Sequence, residues 1–364
     1  MAVDTHSHES ENGSSVAALT KQDFVSGQET RWCPGCGDYG VLASVQELLP
    51  ELGLPLERIV FVTGIGCAGR FAYYLNTYGV HGIHGRAPAF ATGLAVSRPD
   101  LSVWAVGGDG DMLSIGGNHL IHALRRNMPI KILVLNNQVY GLTKGQTSPT
   151  SELGTITKST PFGSEDEPFN PLALALGAGA SFVARTVDRD RRHMGEVLRA
   201  AAEHPGAAFV EIYQNCPIFN DGAFAALTDK DTKDAHQIRL EHGHPIRFGA
   251  DGERGVARQP DGSVAIVDVA DVGSDALLVH DARRADPSGA FALAHLSRTA
   301  SEPTPIGIFR NVERPVHGAR GQDEVCAAHE AVGSDELDGL LHAGATWTVD
   351  SLSPPAPGKA VAKA

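Results

Sequence analysis

Basic residues are in short supply: 30 lysines and arginines face 43 aspartates and glutamates, leaving a net charge of −13. With no compensating basic stripe, that balance excludes a general nucleic-acid binder. No apolar run approaches the roughly 20 residues a transmembrane helix needs. The opening MAVDTHSHESENGSS lacks the basic-then-apolar pattern of an export signal, so a cytoplasmic protein with no membrane partner is expected. Cysteine is sparse, five in 364 residues. In a reducing compartment a CxxC pair reads as a metal or redox element rather than a disulfide.

Glycine, by contrast, is plentiful at 41 residues, and it clusters: Gly64, Gly66 and Gly69, then Gly107, Gly108 and Gly110, then Gly116 and Gly117. Such clusters between apolar runs mark backbone held close to a ligand or in tight turns. Hydrophobic residues at 42% and charged residues at 20% support an ordinary globular core. The length suits one large α/β domain with an appendage.

Four runs read as buried parallel strands: IVFVTG (59–64), VWAVGGDGD (103–111), KILVLNN (131–137) and AFVEIYQNC (208–216). Between the second and third, GGNHLIHALRRN has helical spacing, with His119 and His122 as packing residues and Arg125–Arg126 as a solvated helix end. This alternation predicts an α/β fold with a doubly wound, mostly parallel sheet. In such sheets ligands bind beyond the C-terminal strand ends, where Asp109, Asn137, Cys67, Cys216 and the glycine clusters all fall.

The polar residues 1–20 and 351–364 read as disordered. The ligand-binding domain spans 21–228 and a C-terminal extension 229–350, where no catalytic constellation is evident. In that extension, HPIRFG and GSVAIVDVA flank a Pro260–Asp261–Gly262 turn and predict a β-ribbon.

Gly108-Asp109-Gly110 is followed, after 25 residues, by Asn136-Asn137. Each element closes a predicted parallel strand, so neighbouring strands would present a carboxylate and an amide oxygen to one cation. Hard oxygen ligands suit Mg²⁺, which keeps phosphate oxygens in its shell, and the glycines let backbone N–H groups approach a diphosphate. A lone GDG often marks only a turn; GDG and NN at two strand ends are far more specific. The pattern resembles the thiamine diphosphate fingerprint. That resemblance assigns Asp109, Asn137 and the Val139 carbonyl to Mg²⁺ and places Gly110 and Asp111 beside the diphosphate.

Cys33 and Cys36 lie in WCPGCG, Cys67 in GIGCAG and Cys216 in QNCPIF. Four thiolates hold either zinc or a [4Fe–4S] cluster, and residue type alone does not separate the two. Taken with HGIHGRAPAFATG, GGDGDMLSIGGNH and NNQVYGLTKGQTSPTS, these segments run in unbroken order from about 31 to 228. Together they resemble the β subunits of 2-oxoacid:ferredoxin oxidoreductases. The resemblance implies a [4Fe–4S] cluster on Cys33, Cys36, Cys67 and Cys216; Cys326 falls outside it and reads as an ordinary helical cysteine. It further implies cofactor contacts from Gly66, Gly108, Gly110, Asp111, Val139, Gly141, Leu142 and Thr143. His84 is a candidate for the diphosphate or substrate, with a loop histidine satisfied by backbone as the alternative.

The implied reaction is CoA-dependent oxidative decarboxylation of a 2-oxoacid, with electrons leaving through the cluster to ferredoxin. That route uses no nicotinamide and so needs no dinucleotide fingerprint. No catalytic carboxylate for thiamine activation is evident in the matching segment, and the resemblance places it in an α subunit. Activity is therefore expected only in a hetero-oligomer. The resemblance puts Arg70 and Leu142 at the substrate. A guanidinium grips a carboxylate by two parallel hydrogen bonds, and 2-oxoglutarate offers a distal carboxylate where pyruvate has a methyl. This favours 2-oxoglutarate, unless Arg70 binds the carboxylate shared by all 2-oxoacids or pairs with the partner subunit. The rivals are a pyruvate enzyme of the same family, a non-oxidative thiamine enzyme, which needs no cysteine cluster, and a non-enzymatic metal-cluster assembly subunit, which needs no thiamine diphosphate.

Overall fold

The computed structural model describes residues 19–318 and, beyond them, 324, 325, 327, 328, 330, 331, 339 and 341–347. The expectations for residues 1–18, for 351–364 and for Cys326 lie outside the described residues. Two compact units divide between His317 and Gly318. In the second, residues 324, 325, 327, 328, 330 and 331 are helical and exposed.

The first unit is built on an eight-stranded sheet. Its leading strands are β1 (Ile59–Thr63), β2 (Tyr78–His81), β3 (Ser102–Gly108) and β4 (Ile130–Asn136); a hairpin of β5 (Val139–Tyr140) and β6 (Gln146–Thr147) follows. Next come β7 (Phe182–Val187), β8 (Ala208–Tyr213) and β9 (Gln237–Leu240). A small antiparallel sheet of β10 (Arg247–Phe248), β11 (Arg254–Arg258) and β12 (Val264–Asp268) precedes β13 (Thr304–Asn311). The large sheet runs β2-β1-β3-β4-β8-β7-β13-β9. Every pair is parallel except β13 against β7.

Both faces of the sheet are covered, which is why its central strands carry unbroken apolar runs rather than alternation. Ile59 and Phe61 of β1 pack with α1 (Asp38–Leu48), while Val60 and Val62 face α2 (Ala87–Ser97). Ile132 and Val134 of β4 join α3 (Gly117–Arg125) and α4 (Pro171–Gly177), and Leu133 and Leu135 join α5 (Arg191–Glu203). This is the expected doubly wound arrangement. Local signals start the helices: Asn170 accepts from Ala173 N at 3.0 Å with Pro171 opening α4, and Asp190 accepts from His193 N at 3.1 Å at the head of α5.

On α3 the apolar stripe is Leu120, Ala123 and Leu124; His119 is half-buried and His122 exposed, so the packing role expected for His122 is not what the helix does with it. Arg125 and Arg126 are exposed, as expected. The ribbon has three strands rather than two. The Pro260–Gly262 turn joins β11 to β12, and HPIRFG supplies β10 one strand further out. The segment from 229 also enters the main sheet through β9 and β13, whose Ile238, Leu240, Ile306 and Phe309 are buried. Among the described residues no helix is long and apolar enough to cross a membrane.

Two buried histidines make the fold sensitive to acid. Nδ1 of His193 shares a 2.8 Å hydrogen bond with Thr186 Oγ1, and Nε2 of His204 one of 2.7 Å with Ser181 Oγ. Burial pushes both imidazoles down to about 4. Above the ordinary value of about 6.5 both folded and unfolded chains are neutral at these positions; below it only the unfolded chain takes up the protons until pH reaches about 4. Thermal stability is therefore expected to fall between pH 6.5 and 4. His193→Gln and His204→Gln should each flatten that fall in melting experiments, a comparison in which the other titrating groups cancel. Slopes identical to wild type would overturn the assignment.

Candidate active site

The C-terminal ends of β1, β3, β4 and β8 lie side by side, and the loops leaving them enclose a cavity of about 520 Å³. Gly66, Cys67, His84, Gly108, Asp109, Gly110 and Asp111 line it. So do Asn137, Val139, Gly141, Leu142, Thr143 and Gln214. Every residue expected to touch the cofactor thus reaches this one space.

Asp109 follows the last residue of β3 and is buried. Its Oδ2 accepts from Ser148 Oγ at 2.5 Å and Thr150 Oγ1 at 2.6 Å. Burial pushes the carboxyl up to about 6 despite those hydroxyls. Among the described residues no cationic side chain pairs with it, so a divalent cation would supply the missing charge. Asn137 follows β4 and is half-buried. Its Nδ2 donates to Gln214 Oε1 at 2.9 Å, which fixes the amide, and among the described residues its Oδ1 accepts one long contact, 3.2 Å from Val139 N. Between them Gln138 adopts φ +57°, a left-handed conformation rare outside glycine. It turns the chain so that Val139 pairs with Thr147 across the β5–β6 hairpin. This donor set fits a Mg²⁺–diphosphate group. Gly110 is required by space, since a Cβ there would lie 2.2 Å from the Tyr140 ring.

Asp111 has a wider task than a place beside the diphosphate. Its Oδ1 accepts from Ile65 N at 3.0 Å, from Gly85 N at 2.8 Å and from His84 Nδ1 at 2.6 Å. One carboxylate oxygen therefore ties the loops after β1 and β2 to the wide turn Gly110–Ile115, while Oδ2 is buried without a partner. A Cβ at Gly64 would lie 2.0 Å from that Oδ2. With Nδ1 committed, Nε2 of His84 has no hydrogen bond among the described residues, and the residue lines the cavity.

Three cysteines gather at the rim. A Cβ at Gly141 would lie 3.6 Å from Cys216 Sγ and 3.8 Å from Cys67 Sγ, and Cys36 Sγ accepts from Gln214 Nε2 at 3.2 Å. Cys33 is exposed. Burial pushes the Cys67 thiol up to about 11, with the charges of Asp38, Cys216 and Cys33 adding to the rise; burial raises Cys36 likewise. Among the described residues no three His, Cys, Asp or Glu side chains are grouped tightly enough to hold a single metal ion.

Arg70 sits in the 3₁₀ turn Ala68–Tyr74, half-buried, and is not among the residues that line the cavity. Its charge acts on Cys67, lowering that thiol against the stronger upward effects. Leu142 is at the wall, 45% exposed.

Sequence reasoning missed several participants. Asp38, directly after CPGCG, is buried at the cavity with neither carboxylate oxygen hydrogen-bonded. Burial pushes it up to about 7, and nearby Asp188 adds to the rise. Ser148, Thr150 and Gln214 carried no diagnostic spacing. Gly64-Ile65-Gly66-Cys67-Ala68-Gly69 even has the spacing of a dinucleotide fingerprint, but it opens into a 3₁₀ turn instead of the helix that would receive a pyrophosphate.

Residues 64–212 match the family of the thiamine pyrophosphate enzyme C-terminal TPP binding domain. The chain is 58% identical over 331 residues to the 2-oxoglutarate oxidoreductase subunit KorB of Mycobacterium tuberculosis, covering 90% of this chain and 88% of that one. It is 46% identical over 192 residues to a 2-oxoacid:ferredoxin oxidoreductase subunit beta of Saccharolobus solfataricus, covering 52% of this chain and 63% of that one. Among solved structures, the 2-oxoglutarate:ferredoxin oxidoreductase of Magnetococcus marinus, with 2-oxoglutarate, coenzyme A and succinyl-CoA bound, superposes with a TM-score of 0.70 at 31% identity. That similarity covers 93% of this chain and 98% of the other.

Proposed function

Since the chain belongs to the 2-oxoacid:ferredoxin oxidoreductase β subunits, we propose that with an α subunit it converts 2-oxoglutarate and coenzyme A to succinyl-CoA and CO₂. The electrons pass to ferredoxin. The observation that carries this reading is the 58% identity, over nearly the whole of both chains, to a subunit named for 2-oxoglutarate. The four described cysteines, all free thiols, fit a cytoplasmic setting.

When bound, thiamine diphosphate supplies the electron sink for decarboxylation, and a [4Fe–4S] cluster supplies a one-electron exit. Asp109, Asn137 and the Val139 carbonyl would hold Mg²⁺, and Gly108 and Gly110 let the backbone approach the diphosphate. Asp111 orients His84 so that Nε2 meets the cofactor or substrate. Cys33, Cys36, Cys67 and Cys216 would hold the cluster. The carboxylate that activates the cofactor comes from the α subunit, so this chain is inactive alone.

The test is a substrate panel on the co-purified complex with a viologen dye as acceptor. 2-Oxoglutarate is expected to be preferred; preference for pyruvate would overturn the substrate. Arg70 is half-buried beside Cys67, and its guanidinium has no hydrogen bond or ion pair among the described residues; although it stands outside the cavity lining, it is assigned to the distal carboxylate. Arg70→Met should lower kcat/KM for 2-oxoglutarate at least about tenfold relative to pyruvate, the effect of one charged hydrogen-bonding group. Equal losses on both substrates would place Arg70 on the shared carboxylate instead.

A further inference from the structure

Just past the β5–β6 hairpin, three buried hydroxyls hold both halves of the cation site. Ser148, Thr150 and Ser151 are 9%, 3% and 3% exposed, so their hydrogen bonds do not compete with water. Ser148 Oγ and Thr150 Oγ1 both reach Oδ2 of Asp109. Ser151 Oγ donates to the Gln138 carbonyl at 2.6 Å and accepts from Ser148 N at 2.8 Å. Thr150 Oγ1 also stands 2.8 Å from Asn136 Oδ1. Asn136 Nδ2 in turn donates to Glu211 Oε1 at 2.8 Å, and Arg185 Nε donates to Glu211 Oε2 at 2.7 Å.

These contacts restrict what the site can offer a metal. Ser148 and Thr150 engage Oδ2 of Asp109 from the protein side, even with the Thr150 hydrogen shared with Asn136, and rotation of the carboxylate would break both contacts. Only Oδ1 of Asp109 remains for a cation. On the other side, Ser151 pins the carbonyl of Gln138, the residue whose left-handed backbone aims Val139. Thr150 has one hydroxyl hydrogen for two acceptors, and it thereby links Asp109 to the buried Asn136–Glu211–Arg185 chain. Mg²⁺ tolerates little departure from octahedral geometry, so a rigid mounting of its ligands bears directly on affinity.

We infer that Ser148, Thr150 and Ser151 form a clamp of positioning residues that limits Asp109 to one oxygen toward Mg²⁺ and fixes the Val139 carbonyl from behind. The inference rests on the reading of Asp109, Asn137 and Val139 as the Mg²⁺ site. Its test is calorimetry of thiamine diphosphate binding to the complex over a series of Mg²⁺ concentrations. The proteins compared are wild type, the Ser148→Ala/Thr150→Val double variant and Thr150→Ser, with Thr150→Val alone as the milder variant should the double one fail to fold. Outer-shell partners of metal ligands are worth about 10–100-fold in affinity. The double variant should need about that much more Mg²⁺ for half-saturation and recover full binding at high Mg²⁺, while Thr150→Ser stays near wild type. A loop anchor with no bearing on the metal would change stability and leave the Mg²⁺ requirement alone. An unchanged Mg²⁺ requirement, or a loss equal at every Mg²⁺ level, overturns the clamp. Wild type binding thiamine diphosphate without any Mg²⁺ dependence overturns the underlying site as well.

Discussion

Asp109→Ala is expected to abolish Mg²⁺-dependent thiamine diphosphate binding, weakening it by more than the roughly 100-fold that marks the upper range for outer-shell changes. The carboxylate is the charged member of the donor set, and at a hard cation neither a methyl nor an amide replaces it. Asp109→Asn, which keeps an oxygen at the same place but loses the charge, should fall between the two. Relief of the burial penalty on this carboxylate offsets part of the cost of leaving the buried Ser148 and Thr150 hydroxyls without that acceptor. Calorimetry should therefore register a loss of binding in a protein that still folds and keeps its iron content. Affinity equal to wild type in Asp109→Ala would remove Asp109 from the metal site.

The complete complex, purified without oxygen, should be brown, with the β chain contributing about four irons. Cys67→Ser and Cys216→Ser should each lose that iron. These thiols follow different strands, β1 and β8, at the same edge of the sheet, and no cysteine outside the four assigned stands among the described residues to replace them. Cys67 as a free thiol is held protonated near neutral pH by burial and by the neighbouring negative charges. Cluster loading must therefore displace protons, and reconstitution should proceed more readily as pH rises. Cys326→Ser should retain the iron. Stoichiometric zinc with no iron, in a preparation supplied with iron, would refute the cluster.

The parts of the molecule legible in the sequence were those where residue type and burial coincide. β1, β3, β4 and β8 are dominated by branched and aromatic residues buried on both faces, so their apolar character marks them despite Lys131 and Glu211. β7 was not singled out: FVARTV carries Arg185 and, unlike AFVEIYQNC, which carries the matching Glu211, leads into no cysteine or other motif to draw attention to it. β2 escaped for the opposite reason: all four of its residues are exposed at the sheet edge and leave no apolar pattern. At the site, Asp109, Asn137 and the cysteines were legible because few chemistries use them in that order. Ser148 and Thr150 were not, since a hydroxyl acquires meaning only from what it faces. Arg70 was named from its spacing to Cys67 alone; it is near the thiols, and the 3₁₀ turn holds it beside the cavity lining rather than in it.

The antiparallel seam between β13 and β7 separates two boundaries that a motif map would merge. All the residues assigned to the cofactors lie before 228, yet β7 is an interior strand only because Gly307–Asn311 of β13 lies against Phe182–Arg185. A version of the chain shortened to its cofactor-bearing half would leave one side of that strand's backbone ladder open, inviting association with other copies. It would also strip Phe309 from its place 5.9 Å from the Arg185 guanidinium, loosening the charge pair that anchors Asn136. The minimum that can fold is longer than the minimum that can carry the ligands, so a reduced catalyst built on this scaffold has to keep a tail strand that touches no cofactor.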